Sequence, residues 1–155
     1  MSNVDNAARF AARLKDFSVN TYPGIAASVS AEFAMEAVRR IVRRMPVRTG
    51  HARGNVQVSF FGAASIELPL VDPVGASTIA AAERALANAK ATQNIHISVT
   101  VPYGMRLEQG WSRQAPQGMV RITLAELQAE ARAIGARGAQ KAIAGVGIRA
   151  PRGAA

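Results

Sequence analysis

One amphipathic pattern, between Ile25 and Met45, constrains the fold of this chain more than any other feature. Apolar residues recur there at helical spacing, which predicts a long helix with one buried face. The residues on that face are Val29, Phe33, Ala34, Ala37, Val38, Ile41, Val42 and Met45. Pro46 ends the predicted helix, because the residue before a proline disfavours helical geometry.

A second amphipathic stripe precedes this helix. Phe10, Leu14 and Phe17 are spaced four and three residues apart, which predicts a helix within the first 17 residues. Tyr22-Pro23-Gly24 is typical of a turn, so the sequence predicts a break between the two helices.

Alternating apolar residues predict a small sheet. The expected strands lie at 55–61, 66–70 and 95–99. Gly62-Ala63-Ala64 would form the hairpin turn between the first two strands. Pro69 makes the second strand short or places it at an edge, because proline cannot donate to a ladder.

Further helices are predicted after the first two strands. An alanine-rich helix, capped by Ser77 or Thr78, should run to Lys90. A short helix is expected over 103–110, followed by a loop over 111–118. A last helix should run from Met119 to about Ile143, and its predicted inward residues are Ile122, Leu124, Leu127 and Ala131.

These elements predict an α+β fold, with a long N-terminal helix and a C-terminal helix packed on a small antiparallel sheet of three to four strands. Residues 1–144 should form a single structural domain, as the length of 155 residues suits. Residues 145–155 are rich in glycine, alanine, arginine and proline, and we expect a flexible basic C-terminal tail.

Composition limits the classes of function. The absence of cysteine excludes disulfides and thiolate metal sites and fits a reducing cytoplasm. No apolar run approaches the roughly 20 residues that span a bilayer, and the N-terminus does not resemble a signal peptide, so we expect no membrane contact. The net charge of +9 favours a nucleic acid or an acidic protein surface as a partner over charge for solubility alone.

The sequence offers no recognisable catalytic centre. His51 lies in a basic loop and His96 within a predicted strand, and neither has a carboxylate near it in sequence. The ten acidic residues are scattered, without a paired acid and base or a metal-binding cluster. No phosphate-binding glycine loop or nucleophile elbow is present. We therefore predict that the protein is not an enzyme and holds no metal or cofactor.

Two segments carry a resemblance to a known family. The first contains Pro46, Val47, Thr49, Gly50 and Arg53. The second contains Pro102, Tyr103, Leu107, Glu108, Gly110, Ser112, Gln114, Ala115, Pro116, Gly118, Met119, Val120 and Arg121. In this order they resemble the tail-completion or head–tail joining (neck) family of long-tailed bacteriophages, related to minor tail protein Z of lambda-type phages. The resemblance covers roughly residues 20–135, with departures at Arg48, where an acid is common, and Gly104, where alanine is common.

This resemblance implies a virion structural protein, made in the bacterial host cytoplasm and located at the head–tail junction. It implies a homo-oligomeric ring, which the symmetry of phage tails suggests is hexameric. Its neighbours would be neck and tail proteins such as the connector or stopper, the tail terminator and the tube. Two alternatives remain: a tail-terminator ring, and, from another class, a basic non-specific DNA-binding module.

Residues for subunit or partner contact are expected in the second segment, because large aromatic side chains anchor interfaces. They are Tyr103, Glu108, Trp111, Arg113, Gln114, Pro116 and Met119. Trp111 and Tyr103 could equally fill the small core of this aromatic-poor chain. Glu108 could pair with Arg113, Arg106 or Arg53, or remain solvated.

Six arginines cluster within a short stretch and form a predicted basic face. They are Arg39, Arg40, Arg43, Arg44, Arg48 and Arg53. Three uses remain open: they line a lumen and touch the phosphates of packaged DNA, they pair with acidic faces of neighbouring proteins, or they form a solvated helix face.

Overall fold

A computed structural model of the chain describes residues 3–146, and the side chains of residues 6–145. The helices are α1 (Asn3–Asp16), α2 (Tyr22–Arg44), α3 (His51–Gly54), α4 (Ala76–Leu86), α5 (Gly104–Glu108), α6 (Val120–Ala129) and α7 (Ala131–Val146). The strands are β1 (Val56–Ser59) and β2 (His96–Val99). Most of the predicted tail at 145–155, including Arg149 and Arg152, lies outside the described residues.

Helix α2 is the centre of the fold, as its long apolar pattern predicted. Val38, Val42 and Met45 are almost completely buried, and they pack with Val56 of β1 and Met119 in the largest apolar cluster. The other side of α2 packs on α7, where a second cluster joins Ala37, Leu127 and Ile134. Met45 leaves helical geometry just before Pro46, so the predicted end of this helix is confirmed.

The chain is a mostly helical α+β fold with one antiparallel sheet, but the sheet has two strands among the described residues, fewer than predicted. Strands β1 and β2 pair from Val56 opposite Val99 to Ser59 opposite His96. Residues 66–70, predicted as a strand, form no regular structure. Since no second strand follows β1 directly, the predicted hairpin turn at 62–64 joins no hairpin.

Side chains occupy the edge of β1 where the missing strand was expected. The side-chain amide of Asn55 donates to the Leu68 carbonyl, and its oxygen accepts from the Leu68 N–H, at 3.0 and 2.7 Å. Gln57 donates to the Ile66 carbonyl at 2.8 Å. Ile66 and Leu70 are exposed, so the alternating apolar side chains of this segment are not buried as those of a core strand would be. We call residues 64–71 the strap.

The predicted break at Tyr22-Pro23-Gly24 is wrong. One π-helical turn, Phe17–Thr21, joins α1 to α2 without interruption, and the Tyr22 N–H bonds the Phe17 carbonyl. Pro23 lies just after the π turn, in the first turn of α2. The result is one long helical rod over residues 3–44.

Two predicted helix details also change. Helix α4 begins after Gly75 and is capped by Asp72 rather than by Ser77 or Thr78, since Asp72 accepts the N–H groups of Gly75 and Thr78 at 2.7 and 2.8 Å. The predicted last helix divides into α6 and α7 at Glu130. Leu127 is buried as expected, whereas Leu124 is exposed.

Candidate protein-interaction site

The two segments that carry the family resemblance meet in space. Residues 46–52 and parts of 103–114 line an open groove of about 590 Å³. Gln114 fastens one wall to the other: its side-chain oxygen accepts the Val47 N–H at 2.8 Å, and its amide donates to the Val47 carbonyl at 3.1 Å. Segments separated by some fifty residues therefore form a single surface feature.

The first wall turns sharply at Gly50. Gly50 has a φ of 91°, and a Cβ there would lie 2.3 Å from the Pro73 nitrogen. Glycine is therefore required both for the backbone angle and for the close approach of the Asp72–Pro73 backbone. Arg53 closes the turn by donating to the backbone carbonyls of Met45, Pro73 and Arg43.

The second wall is held by Glu108, which binds none of its predicted partners. Its carboxylate accepts the N–H groups of Met119, Val120 and Arg121 at 2.8 to 3.0 Å, and so caps α6. Gly118, with φ of 79°, allows this approach, because a Cβ would lie 2.4 Å from the Glu108 carbonyl oxygen. Burial alone would raise the pKa of Glu108, but these amides and the Arg121 side chain lower it overall.

Exposed aromatic and cationic side chains line the groove or directly adjoin its lining residues in sequence. Trp111 is 73% exposed, so it does not fill the core. The guanidinium of Arg106 lies 5.4 Å from the centre of the Trp111 ring, within range of a cation–π contact. Tyr103 lines the groove and is 40% exposed, and Arg48 lines it from the opposite wall.

The remaining predicted contact residues divide into two groups. Arg113 and Pro116 are exposed on the 111–118 loop, and Gln114 is exposed while fastening that loop to Val47. Met119 is only 1% exposed and belongs to the core around α2, so it offers no accessible surface. We therefore take Tyr103, Trp111, Arg113, Gln114 and Pro116 as the accessible part of the predicted interface.

Four of the six arginines in the predicted basic face bond within the chain. Arg39 pairs with Glu83 of α4 at 2.8 Å. Arg44 donates to Thr123 and Glu126 of α6. Arg53 binds backbone carbonyls, as described above. These arginines fasten α2 to different elements and do not form one free cationic surface.

Arg40 is the most strongly bonded of these arginines. It contacts Glu36, Glu126 and Glu130 at 2.7 to 3.3 Å. The hydrogen bond with Glu130 is the largest influence and raises the pKa of Arg40 above its ordinary value. Arg43 and Arg48 differ, because both are exposed and their side chains have no hydrogen bond or ion pair within residues 6–145.

The histidines bear on the prediction that no metal or catalytic site is present. His51 bonds the Leu70 carbonyl at 2.9 Å and the Glu67 carboxylate at 2.8 Å, linking the groove wall to the strap. The bond with Glu67 and that with Leu70 raise the pKa of His51. Across the described part of the chain, no group of three histidine or acidic side chains is placed to hold a metal ion.

Comparison with known proteins adds no relative. No family model, curated protein or solved structure matches this chain. Among the helices described, none has the length and apolar character needed to cross a membrane.

Sequence reasoning did not find the residues that shape this site from a distance. Asn55 is completely buried, and it joins α3, the strap and Thr100 of the segment after β2. Glu67 and Asp72 act in similar ways on His51 and α4. The one available signal was an uncharged polar residue, Asn55, directly before an apolar strand.

Proposed function

We propose that this protein is a virion structural protein at the neck of a tailed bacteriophage, where it completes the tail and joins it to the DNA-filled head as a subunit of a ring. The observation that carries the proposal is the groove, since the two segments that resemble the neck family are also the two that build it. We take a hexameric ring as the form to test, from the symmetry of phage tails.

The chemistry of the groove suits a protein contact. Its walls include Pro46, Val47, Ala52 and Leu107, which present apolar surface to a partner. Trp111, the residue before the lining residue Ser112, is a large exposed side chain with few rotamers, so it can bury much area at a small entropic cost. A closed ring needs two different complementary patches on each subunit, and the groove with Trp111 is our candidate for one of them.

The alternatives receive less support. A tail-terminator ring would use the same chemistry at a different position in the particle. A DNA-binding module would need free cations, but Arg39, Arg40, Arg44 and Arg53 are bonded inside the chain. For the same reason these four residues are not proposed to line a DNA-facing lumen, and we propose no enzymatic activity.

The test is to delete the gene from its parent phage and to image the particles by electron microscopy. The proposal predicts free filled heads and unjoined tails, together with density for the protein at the neck of complemented particles. Intact, infectious particles without the protein would overturn it. Tails of uncontrolled length would instead favour the tail-terminator alternative.

A second test concerns Trp111. Trp111→Ala should lower the incorporation of the protein into particles more than Trp111→Phe, because phenylalanine keeps an aromatic anchor. Phe61→Ala is the matched control, since Phe61 is an aromatic residue that is 96% exposed and lies in neither of the two segments that build the groove. Equal incorporation of both Trp111 variants at the wild-type amount would remove Trp111 from the proposed interface.

A further inference from the structure

The polar side chains that line the groove hold hydrogen-bond donors that the chain itself does not use. The hydroxyl oxygens of Thr49 and Ser112 accept the N–H groups of His51 and Gln114, both at 3.2 Å. Neither hydroxyl donates a hydrogen bond within residues 6–145, and the hydroxyl of Tyr103 makes none there. A hydroxyl whose oxygen accepts a bond still has its hydrogen to donate, so the groove suits a partner with acceptors.

The charges in the groove favour the same kind of partner. Arg48 lines it, is exposed, and has no hydrogen bond or ion pair among the described side chains. His51 has both ring nitrogens against oxygen atoms, the Leu70 carbonyl and the Glu67 carboxylate. Two acceptors need a hydrogen on each nitrogen, so His51 is cationic beside the ionised Glu67. Since the described lining includes no acidic residue, a docked segment meets cations and donors.

The strap, residues 64–71, offers unused acceptors. Three of its carbonyls are bonded to the folded body by the side chains of Gln57, Asn55 and His51. The carbonyls that alternate with these accept no hydrogen bond from the described residues. They belong to Ser65, Glu67, Pro69 and Val71. Pro69 also lacks an N–H, so the free acceptors are not matched by an equal number of donors.

The strap is also apolar and free of cations. Ile66, Leu70 and Val71 are 73%, 50% and 61% exposed. Residues 54–83 contain no lysine or arginine, which is the longest such stretch in a chain with a net charge of +9. The strap therefore brings apolar side chains and carbonyl oxygens to the groove without repelling Arg48, whereas a cation-bearing surface would place like charges together.

We infer that the groove of one subunit receives the strap of a second copy of this chain. The apolar walls of the groove cover Ile66 and Val71, and Arg48 with the three hydroxyls donates to the free carbonyls of the strap. No strap residue lines the groove of its own subunit, so that groove stays open to another copy. The contact joins two different patches, as a closed ring requires. This inference rests on the proposed function, because it names the partner of the same groove.

Cross-linking between two full-length chains tests the contact directly. The chain has no cysteine, so introduced thiols are read without background. Thr49→Cys, in the groove, is mixed with a mass-tagged Ile66→Cys chain and oxidised. The mixed dimer should be the main product, because two copies of the same position do not face each other. Leu124→Cys, at an exposed apolar position on α6, replaces Ile66→Cys in the matched control and should give little product.

Sedimentation velocity of the unlinked chain tests the chemistry of the contact. Arg48→Glu and Ile66→Ser should each weaken self-association about tenfold or more, the first by removing a cationic donor and the second by removing an apolar side chain. Arg132→Glu makes the same change in net charge at an exposed arginine outside the groove, and Leu124→Ser is the control for Ile66. Both controls should self-associate as wild type does. Circular dichroism checks that every variant stays folded.

Three results would overturn the inference: a chain that stays monomeric at about 1 mM, mixed and unmixed cross-links in equal amounts, and self-association that Arg48→Glu and Ile66→Ser leave intact. Loss of self-association in Leu14→Ser instead would assign the contact to α1 and overturn it too. A mixed dimer that never grows into larger rings would support the contact and count against the ring. Since neither measurement uses phage particles, failure here is separate from failure of the neck proposal.

Discussion

The two halves of the N-terminal rod carry similar sequence patterns and have opposite surroundings. In α2 the apolar face is covered, and Val38 and Ile41 are 0% and 5% exposed. In α1 the same kind of face is bare, and Phe10 is 63% exposed. An amphipathic pattern therefore states which side of a helix is apolar, but not what covers it.

What separates the halves is the folded body around α2: α4 and the cluster of Val56 and Met119 cover one side of it, and α7 covers the other. This helix approaches α2 closely through small residues: a Cβ on Gly138 would lie 2.6 Å from the Cα of Val29. Ser28 reinforces the contact by donating to the Gly138 carbonyl at 2.7 Å. Polar contacts follow at Glu32, which bonds Lys141 and Arg137. No comparable helix lies along α1 within the described residues.

The largest expected effect comes from loosening the covered half. Ile134 is completely buried between α7 and α2, so Ile134→Ala should lower the free energy of unfolding by about 2–5 kcal/mol. Phe10→Ala removes a larger side chain from the exposed half, α1, and should change the free energy of unfolding by less than about 0.5 kcal/mol. Urea unfolding measures both. Equal losses of unfolding free energy in the two variants would mean that α1 is packed in solution, which would contradict the comparison.

A smaller effect on stability is expected from glycine-to-alanine substitutions where α7 approaches α2. Gly138→Ala should destabilise the protein by about 1–3 kcal/mol, because the added methyl meets the backbone of Val29. Gly135→Ala, one turn away, meets only the Phe33 ring edge at 4.0 Å. It should stabilise α7 by up to about 1 kcal/mol, since alanine is the better helix former. Opposite signs in thermal unfolding would sharpen the comparison, whereas two similar losses would contradict it.

The smallest expected effect is the contribution of Glu32 to the free energy of unfolding, and it depends on pH. Burial would raise the pKa of Glu32, but Lys141 and Arg137 lower it overall, below its ordinary value of 4.5. The stabilisation from Glu32 is therefore complete above that ordinary value and is lost as the pH falls through the lowered pKa. Glu32→Gln should cost about 1 kcal/mol near neutral pH, and the difference from wild type should shrink in acid.

The control for this titration is Glu83→Gln. Glu83 has a half-exposed side chain with a single ionic contact, to Arg39, so its loss should cost less than about 0.5 kcal/mol. Urea unfolding at several pH values measures both variants. A Glu32→Gln difference that is constant from neutral to acidic pH would mean that the carboxylate charge does not help to hold α7.

Local patterns allowed much of the fold to be predicted. The long helix, its end at Pro46, the two observed strands and the short helix α5 all depend on residues close in sequence. The prediction of a strand at 66–70 was wrong for a related reason. Alternating apolar residues identify a possible strand, but a strand also needs backbone hydrogen-bond partners. Here the side chains of Asn55 and Gln57 take up those hydrogen bonds.

The candidate site was predictable only in part. The loop over 111–118 was expected, because glycine, proline and polar residues mark it. The partners of side chains across the fold could not be predicted. Glu108 bonds the start of α6, and Arg40 bonds Glu126 of α6 and Glu130 between α6 and α7, only once those helices have packed. The sequence left Trp111 either in the core or at the surface, and its exposure depends on the same packing.

The π turn at Phe17–Thr21 has a geometric consequence. Its one extra residue brings the rings of Phe17 and Tyr22 to the same side, with centroids 6.4 Å apart. Restoring ordinary α-helical winding would rotate everything before it by about a quarter turn around the rod axis. The number of residues in the π turn thus fixes the direction in which the apolar face of α1 points around the rod axis. We expect an insertion or deletion there to rotate this face without changing the folded body.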